Sequence, residues 1–288
     1  MKQNILFTID VEDWFQVENF SGLINRSEWE RLPARVVPNT LKILDLFENH
    51  KIKIRATFFI LGWVAERFPN LIREIAKRGH EIASHGYGHA MCTSIDQDTL
   101  LADLIRSKKT IEGITGAEVF GYRAPSFSIS DDTLKLIMKA GYRYDSSYNS
   151  FARHGRYGSI GTNGRPRSGI AIRMAPDFYE LPISNLDFGG QIVPWGGGGY
   201  FRLLPFIVFK KGVQNILAKQ KAYMFYMHPW EIDPDQPRVK KVKRLPAFRH
   251  YLNLNRAYKR LGQMLATFQG CEFITCSQYL NKQNMLKE

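Results

Sequence analysis

Two histidines four residues apart, His85 and His89 in "SHGYGH", are the first residues in this chain whose types and spacing could do chemistry. Imidazoles so placed can ligate one metal ion. Gly86 and Gly88 stand between them and make a regular helix unfavourable, so a loop turn must bring the rings together. Three further clusters carry acid, base and charge. "TIDVEDWF" supplies Asp10, Glu12 and Asp13, "FGYRAP" supplies Arg123, and "YMHPW" supplies His228.

Each cluster has a plain structural reading when taken alone. A carboxylate at a strand end often caps the next helix, and a lone histidine after an apolar strand is more often a satisfied core residue. Together they match a hydrolytic site. A catalytic Zn²⁺ takes about three protein ligands from His and carboxylate and keeps one position for water. His85, His89 and one of the acidic residues meet that count. A second carboxylate is then free to act as general base, His228 as general acid, and Arg123 can hold the base ionised. Such a set suits metal-assisted hydrolysis.

The elements that must position these residues alternate along the chain. "NILFTID" reads as a buried strand, Val37–His50 as helix entry and helix, and "IRATFFILG" as a strand. A second helix runs through "AERFPNLIREIAKRG" to Gly79 and is followed by a strand at Glu81–Ser84. A third helix starts at the caps Ser94 and Asp96 and stops at Gly113 or Gly116. "VFGYRAP" is a strand and turn, "SDDTLKLIMKAGY" a helix, and "RYDSSY" a short strand. Residues 150–170 read as a surface loop, "AIRMAPDFYELPIS" as one or two strands, and "FRLLPFIVFKKGVQNILAKQ" as a helix. "KAYMFYMHPWEID" is a strong buried strand, 249–268 a long helix, and "CEFITCSQYL" a final strand and turn. Asp10, His85, Arg123 and His228 each fall just after a strand, where α/β folds place their sites. About seven strand–helix units without a composition break predict one parallel α/β domain, a barrel rather than an open sheet.

Bulk properties narrow the partners. The chain has 288 residues, 44% hydrophobic and 23% charged, which is ordinary for a globular protein. Its net charge of +13 points to an anionic partner. Much of the excess lies in "RVKKVKRLPAFRHYLNLNRAYKRL", a loop followed by a helix. No nucleic-acid-binding motif accompanies it, and nucleic acid is not an expected partner. Cys92, Cys271 and Cys276 have no pairing spacing and fit a reducing compartment. No run of about 18 apolar residues and no signal-peptide pattern is present, so the expectation is a cytoplasmic chain, peripheral at most to the inner membrane face.

The ordered motifs "FTIDVEDWF", "SHGYGH", "GYRAPSFSI" and "YMHPWEIDPDQP" resemble those of the polysaccharide deacetylases of carbohydrate esterase family 4, the NodB-homology domain. "DVEDWFQV", "GGGGYFRLLP" and "HPWEIDPDQPR" resemble, more narrowly, the branch associated with bacterial exopolysaccharide gene clusters. The resemblance runs from about residue 5 to 280. It implies a single-domain distorted (β/α)7 TIM-like barrel over residues 1–288, with 238–288 as a branch-specific extension, and a divalent metal, zinc in most members. By position, Asp10 matches the base, His85 and His89 the metal-binding histidines, and Arg123 the arginine paired with the base. Pro125 matches the proline of that motif, Ser126 the residue whose backbone N–H helps hold the oxyanion, and His228 the proton donor to the leaving amine. One departure matters: members commonly carry two adjacent aspartates, base then ligand, where this chain reads Asp10–Val11–Glu12–Asp13. The acidic ligand is then Asp13 or Glu12, with Asp13 expected. The usual aromatic–acid motif before the last histidine is replaced by "VPWGGGGYFRLLP", where Trp195 and Tyr200 are candidates for the groove wall.

The resemblance implies a metal-dependent N-deacetylase acting on an amino sugar of a polysaccharide or its lipid-linked precursor. The expected partners are an N-acetylated glycan and, at the basic C-terminal segment, an anionic glycan, a lipid diphosphate carrier or a membrane surface. Two alternatives remain at this level: an amidohydrolase acting on a small cyclic amide or imide, and a glycan-binding protein without catalysis.

Overall fold

The computed structural model describes residues 2–151, 155 and 157–286. Of the loop expected at 150–170, residues 152–154 and 156 lie outside the described residues. In chain order the strands are β1 (Asn4–Val11), β2 (Thr57–Ile60), β3 (Glu81–Ser84), β4 (Gly121–Tyr122), β5 (Tyr144–Asp145), β6 (Arg167–Ser168), β7 (Ala171–Ala175), β8 (Phe178–Glu180), β9 (Asn185–Phe188), β10 (Gln191–Pro194), β11 (Ala222–Met227) and β12 (Glu272–Ile274). The helices are α1 (Val36–Glu48), α2 (Gly62–Arg67), α3 (Pro69–Lys77), α4 (Gln97–Thr115), α5 (Asp131–Lys139), α6 (Gly198–Leu203), α7 (Phe206–Gln220), α8 (Arg244–Tyr251), α9 (Leu254–Thr267) and α10 (Cys276–Lys282).

Seven strands, in the order β11–β1–β2–β3–β4–β5–β8, pair in parallel and form the wall of a barrel. β7 and β6 extend it in antiparallel fashion beyond β8. No ladder joins β8 to β11 among the described residues; a side chain–backbone bond from Met224 N–H to Ser184 Oγ helps span that gap. β1 is the hub. It pairs with β11 along Asn4–Ile9, while its other edge is shared between β12 below and β2 above. The expected distorted (β/α)7 barrel is what is seen.

β1 explains itself by its period of two. Ile5, Phe7, Ile9 and Val11 point into the layer between strands and helices. Leu6 packs inside the barrel with Phe59, Ala83, Tyr144 and Met224. Thr8 and Asp10 continue the Leu6 face, and both accept hydrogen bonds from Arg123. Burial on both faces is why the strand reads as an almost continuous apolar run.

Several elements differ from the sequence expectation at identifiable points. The second expected helix is two, because Pro69 cannot continue α2. Pro205 likewise separates α6 from α7. The expected 249–268 helix is α8 plus α9, divided where Asn253 takes φ +53°. The segment after β12 is a helix rather than a turn, opened by a capping box between Thr275 and Gln278. A hairpin, β9–β10, was not expected; its turn is Gly189–Gly190, both at positive φ.

Candidate active site

The functional side chains collect at the C-terminal mouth of the barrel. His85 follows β3, Arg123 follows β4, His228 follows β11, and Asp10 stands near the end of β1. Arg123 is fully buried. Its guanidinium donates to Asp10 Oδ1 (2.7 Å), Thr8 Oγ1 (2.7 Å), the Ser146 carbonyl (2.9 Å) and Ser146 Oγ (2.8 Å), and lies 4.0 Å from the centre of the Phe59 ring. A buried charge survives only when satisfied in this way. The result is an Asp10 carboxylate with one oxygen fixed and the other, Oδ2, directed to the side where His228 Nε2 stands 3.9 Å away.

The "HGYGH" loop gains its shape from two different uses of glycine. Gly86 adopts φ +74°. Gly88 has no such φ, but a Cβ there would lie 2.1 Å from the Arg26 guanidinium. His89 itself takes φ +56°, a conformation that strains a residue with a Cβ. The loop docks on the start of α2: Gly62 N–H donates to the Gly86 carbonyl and Trp63 N–H to the Tyr87 carbonyl. Two donors that a helix start leaves unpaired are thereby satisfied. Ser107 Oγ also donates to Gly86 O, and Tyr87 N–H to Asp103.

Among the described residues, the group of ligand-type side chains that converges is Glu12, His85 and His89, one donor atom from each lying within 4.8 Å of the others. His85 Nδ1 is 2.7 Å from the Arg123 carbonyl, which fixes the proton on Nδ1 and leaves Nε2 as a lone-pair donor. Burial lowers the His85 pKa to about 4, keeping the ring neutral. Glu12 Oε1 accepts from the Trp230 indole N–H (3.2 Å). Its Oε2 sits 2.7 Å from His89 Nε2, yet it is buried and accepts no hydrogen bond. Burial pushes the Glu12 carboxyl up, but the neighbouring His89 and His228 outweigh it and hold it below the usual carboxylate range. One carboxylate with an unsatisfied buried oxygen and two imidazoles form a donor set that fits a divalent cation.

Asp13, the expected acidic ligand, is elsewhere. Its Oδ2 accepts from the backbone N–H groups of Arg35 (2.7 Å) and Val36 (2.9 Å) at the start of α1, and its Oδ1 from Trp14 N–H (2.9 Å). Burial raises its pKa to about 6 against those three bonds. It is a helix-capping carboxylate and not a member of the histidine cluster. The difference from the expectation has a local cause: the unpaired backbone donors at the start of α1 hold the Asp13 carboxylate there.

His228 is partly exposed and held on its far side. Its Nδ1 is 2.9 Å from Glu231 Oε1, while Nε2 faces the groove, 3.4 Å from Glu12. Glu231 is buried and paired through Oε2 with Arg202 Nε at 2.7 Å. Burial alone would lower the His228 pKa, but the carboxylates of Glu12 and Glu231 raise it to about 9. Burial raises and Arg202 lowers the pKa of Glu231, which settles near 2. Neither Glu231 nor Arg202 was singled out from sequence. A glutamate three residues after His228 is a capping-box spacing, and that box is present.

Ala124, Ser126 and Phe127 line the same groove, with Ser126 at φ +53° and Phe127 at φ +56°. Pro125 opens this turn and is buried beneath it. Tyr200 lines the groove, whereas Trp195 belongs to the core, stacked on Phe209 and donating to its carbonyl. The groove is open and about 960 Å³, at the upper end for small-molecule sites. Tyr157, Tyr200, Tyr226 and Trp230 supply aromatic surface along it.

The mouth of this barrel of parallel strands thus presents a two-histidine, one-carboxylate cluster beside a buried Asp–Arg pair. Residues 29–144 match the polysaccharide deacetylase family model. Residues 146–281 match a second model, described only as a domain of unknown function, DUF3473. A peptidoglycan-N-acetylglucosamine deacetylase of Bacillus cereus is 35% identical over 33% of this chain and 34% of its own length. A peptidoglycan deacetylase of Helicobacter pylori is 35% identical over 38% of each chain. The chain thus spans little more than a third of the length of these relatives. Among solved structures, a putative polysaccharide deacetylase from Mycobacterium smegmatis aligns with a TM-score of 0.62 at 21% identity, covering 98% of this chain and 91% of that one. That likeness establishes the fold.

Proposed function

We propose that the protein is a metal-dependent N-deacetylase that hydrolyses the acetamide of an amino sugar in a polysaccharide or its lipid-linked precursor. The observation that carries this reading is the juxtaposition of the Glu12–His85–His89 cluster with Asp10 and His228 in one groove. The polysaccharide deacetylase family model, matched over the segment that holds both histidines and Arg123, and the deacetylase relatives support the same chemistry.

Glu12, His85 and His89 would hold the divalent ion, zinc by its preference for this donor set, which when bound supplies Lewis acidity and a water of lowered pKa. Asp10, oriented by Arg123 through Oδ1, accepts the proton of the attacking water on Oδ2. The backbone N–H of Ser126, a groove-lining residue, would donate to the developing oxyanion. His228 donates its Nε2 proton to the departing amine, with Glu231 and Arg202 fixing the ring through Nδ1. The aromatic walls exclude water from one side of the sugar, and an open groove of about 960 Å³ suits a glycan better than a small cyclic imide. We further propose that 238–288 works as part of this one domain, since β12 in that segment pairs with β1 beneath Asp10, and that its cations meet an anionic partner.

The test is acetate release from a panel of N-acetylated oligosaccharides, with and without a chelator. Metal-dependent release on at least one glycan is expected. Release that survives chelation, or none on any glycan, would overturn the reading.

A further inference from the structure

The active-site groove has an asymmetric rim. On the α6–α8 side its lining includes Leu203, Leu245 and Phe248, which are 49%, 58% and 56% exposed. Large apolar side chains left in water at the lip of a groove need a reason. The exposure continues past the groove: Ile207 and Val208, in the first turn of α7, are 65% and 43% exposed. Of the exposed large hydrophobics among the described residues, only Leu23 and Phe188 lie outside 203–258.

These positions form one face because residues 202–204 tie the elements together. Arg202 donates to the carbonyls of Arg249, His250 and Leu252 at the end of α8. Arg260 of α9 and Asn253 donate to the Arg202 carbonyl, and Arg260 also to that of Leu204. The apolar rim is therefore fixed to the segment with the most positive charge. From Gln236 to Cys271 the sequence holds nine Lys and Arg residues (238, 240, 241, 243, 244, 249, 256, 259 and 260) and not one Asp or Glu. On α8, exposed Arg244 and Arg249 flank exposed Leu245 and Phe248.

We infer that this face, α6 through α8 with the start of α7, docks the protein on an anionic lipid bilayer, with the deacetylase groove opening at the membrane surface. Cations attract the protein to acidic headgroups, and the leucines and phenylalanine enter the interface, the division of labour of interfacial helices. An acidic glycan would answer the charge but leaves the exposed aliphatic side chains without a role. The substrate class follows, resting on the proposed deacetylase reading: a saccharide presented at a membrane, such as a lipid-linked one.

Vesicle sedimentation of the full-length protein tests the docking without using catalysis, so its outcome is separate from that of the deacetylase assay. Phosphatidylglycerol–phosphatidylcholine vesicles should sediment the protein at low salt, at least tenfold more tightly than phosphatidylcholine alone, and about 0.5 M salt should weaken this. The Leu245→Ser/Phe248→Ser and Lys240→Glu/Lys241→Glu/Lys243→Glu variants, with circular dichroism melts matching the parent, should each bind the anionic vesicles at least tenfold more weakly. No sedimentation with anionic vesicles would overturn the inference. So would binding unaffected by the apolar substitutions, or retention on an alginate column that vesicles fail to compete.

Discussion

Asp10 and His228 stand on neighbouring strands, face the same groove, and are held in opposite ways. Asp10 is fixed by a cation just after β4, and Arg123 in turn depends on β1, β2 and Ser146 after β5. His228 is fixed by an anion three residues along its own turn, and Glu231 depends on Arg202 of α6. The proposed base is thus a property of the whole barrel, whereas the proposed acid is a local motif fastened by one long-range bond. Damage on the first side should cost folding and on the second mainly tuning.

The largest effect expected is at the base. Asp10→Asn should lower kcat for acetate release by about 10²–10⁴, the range of general base catalysis, with metal content unchanged. Arg123→Met attacks the same half through its support. It leaves the Asp10 carboxylate buried and unpaired, and urea denaturation should show a loss of about 3–5 kcal/mol. Glu231→Gln keeps the shape of the other half and removes its charge. We expect roughly a tenfold fall in kcat, circular dichroism unchanged, and the alkaline limb of the pH profile moved to lower pH, because Glu231 is one of the groups that raise His228. Equal stability losses for Arg123→Met and Glu231→Gln would erase the contrast.

A smaller effect lies beneath the base. Glu180 and Asp145 are buried side by side at the ends of β8 and β5, and Asp145 holds Ser147, whose hydroxyl accepts from Ala124 N–H. Burial first, and then the charge of Asp145, lifts the Glu180 pKa well above its ordinary value. Above about pH 4.5 the unfolded chain releases this proton and the folded chain keeps it, so folding stability falls as pH rises. The slope is at most about 1.4 kcal/mol per pH unit. Glu180→Gln should flatten the curve of urea midpoint against pH between 5 and 8; an unchanged slope would mean the pair is not the source.

The difference between the halves also explains what the sequence disclosed. Seven strand–helix units, and Asp10, His85, His89, Arg123 and His228 each just after a strand, were legible because hydrophobic period and strand ends are local signals. Pro205 and the Asn253 break were visible as residues but needed tertiary packing to decide whether a helix kinks or stops. Arg202 was hidden because its partner is 29 residues away on another element. That Glu12 rather than Asp13 lies beside the histidines was legible in principle. Extending the alternation of Leu6, Thr8 and Asp10 by one step places Glu12 inward. The adjacent aspartates of the resembled family have no counterpart here, since Val11 follows Asp10, and the backbone donors of α1 claim Asp13.

That pair supplies the most direct measurement. Bound metal per chain should be determined by elemental analysis for Glu12→Gln and Asp13→Asn after identical dialysis. Glu12→Gln is predicted to lose the ion while Asp13→Asn retains it and is less stable by at most about 1 kcal/mol, since an Asn oxygen still accepts from the start of α1 but its amide nitrogen cannot accept from Trp14 N–H. Retention of metal by Glu12→Gln together with its loss from Asp13→Asn would contradict the assignment of the site.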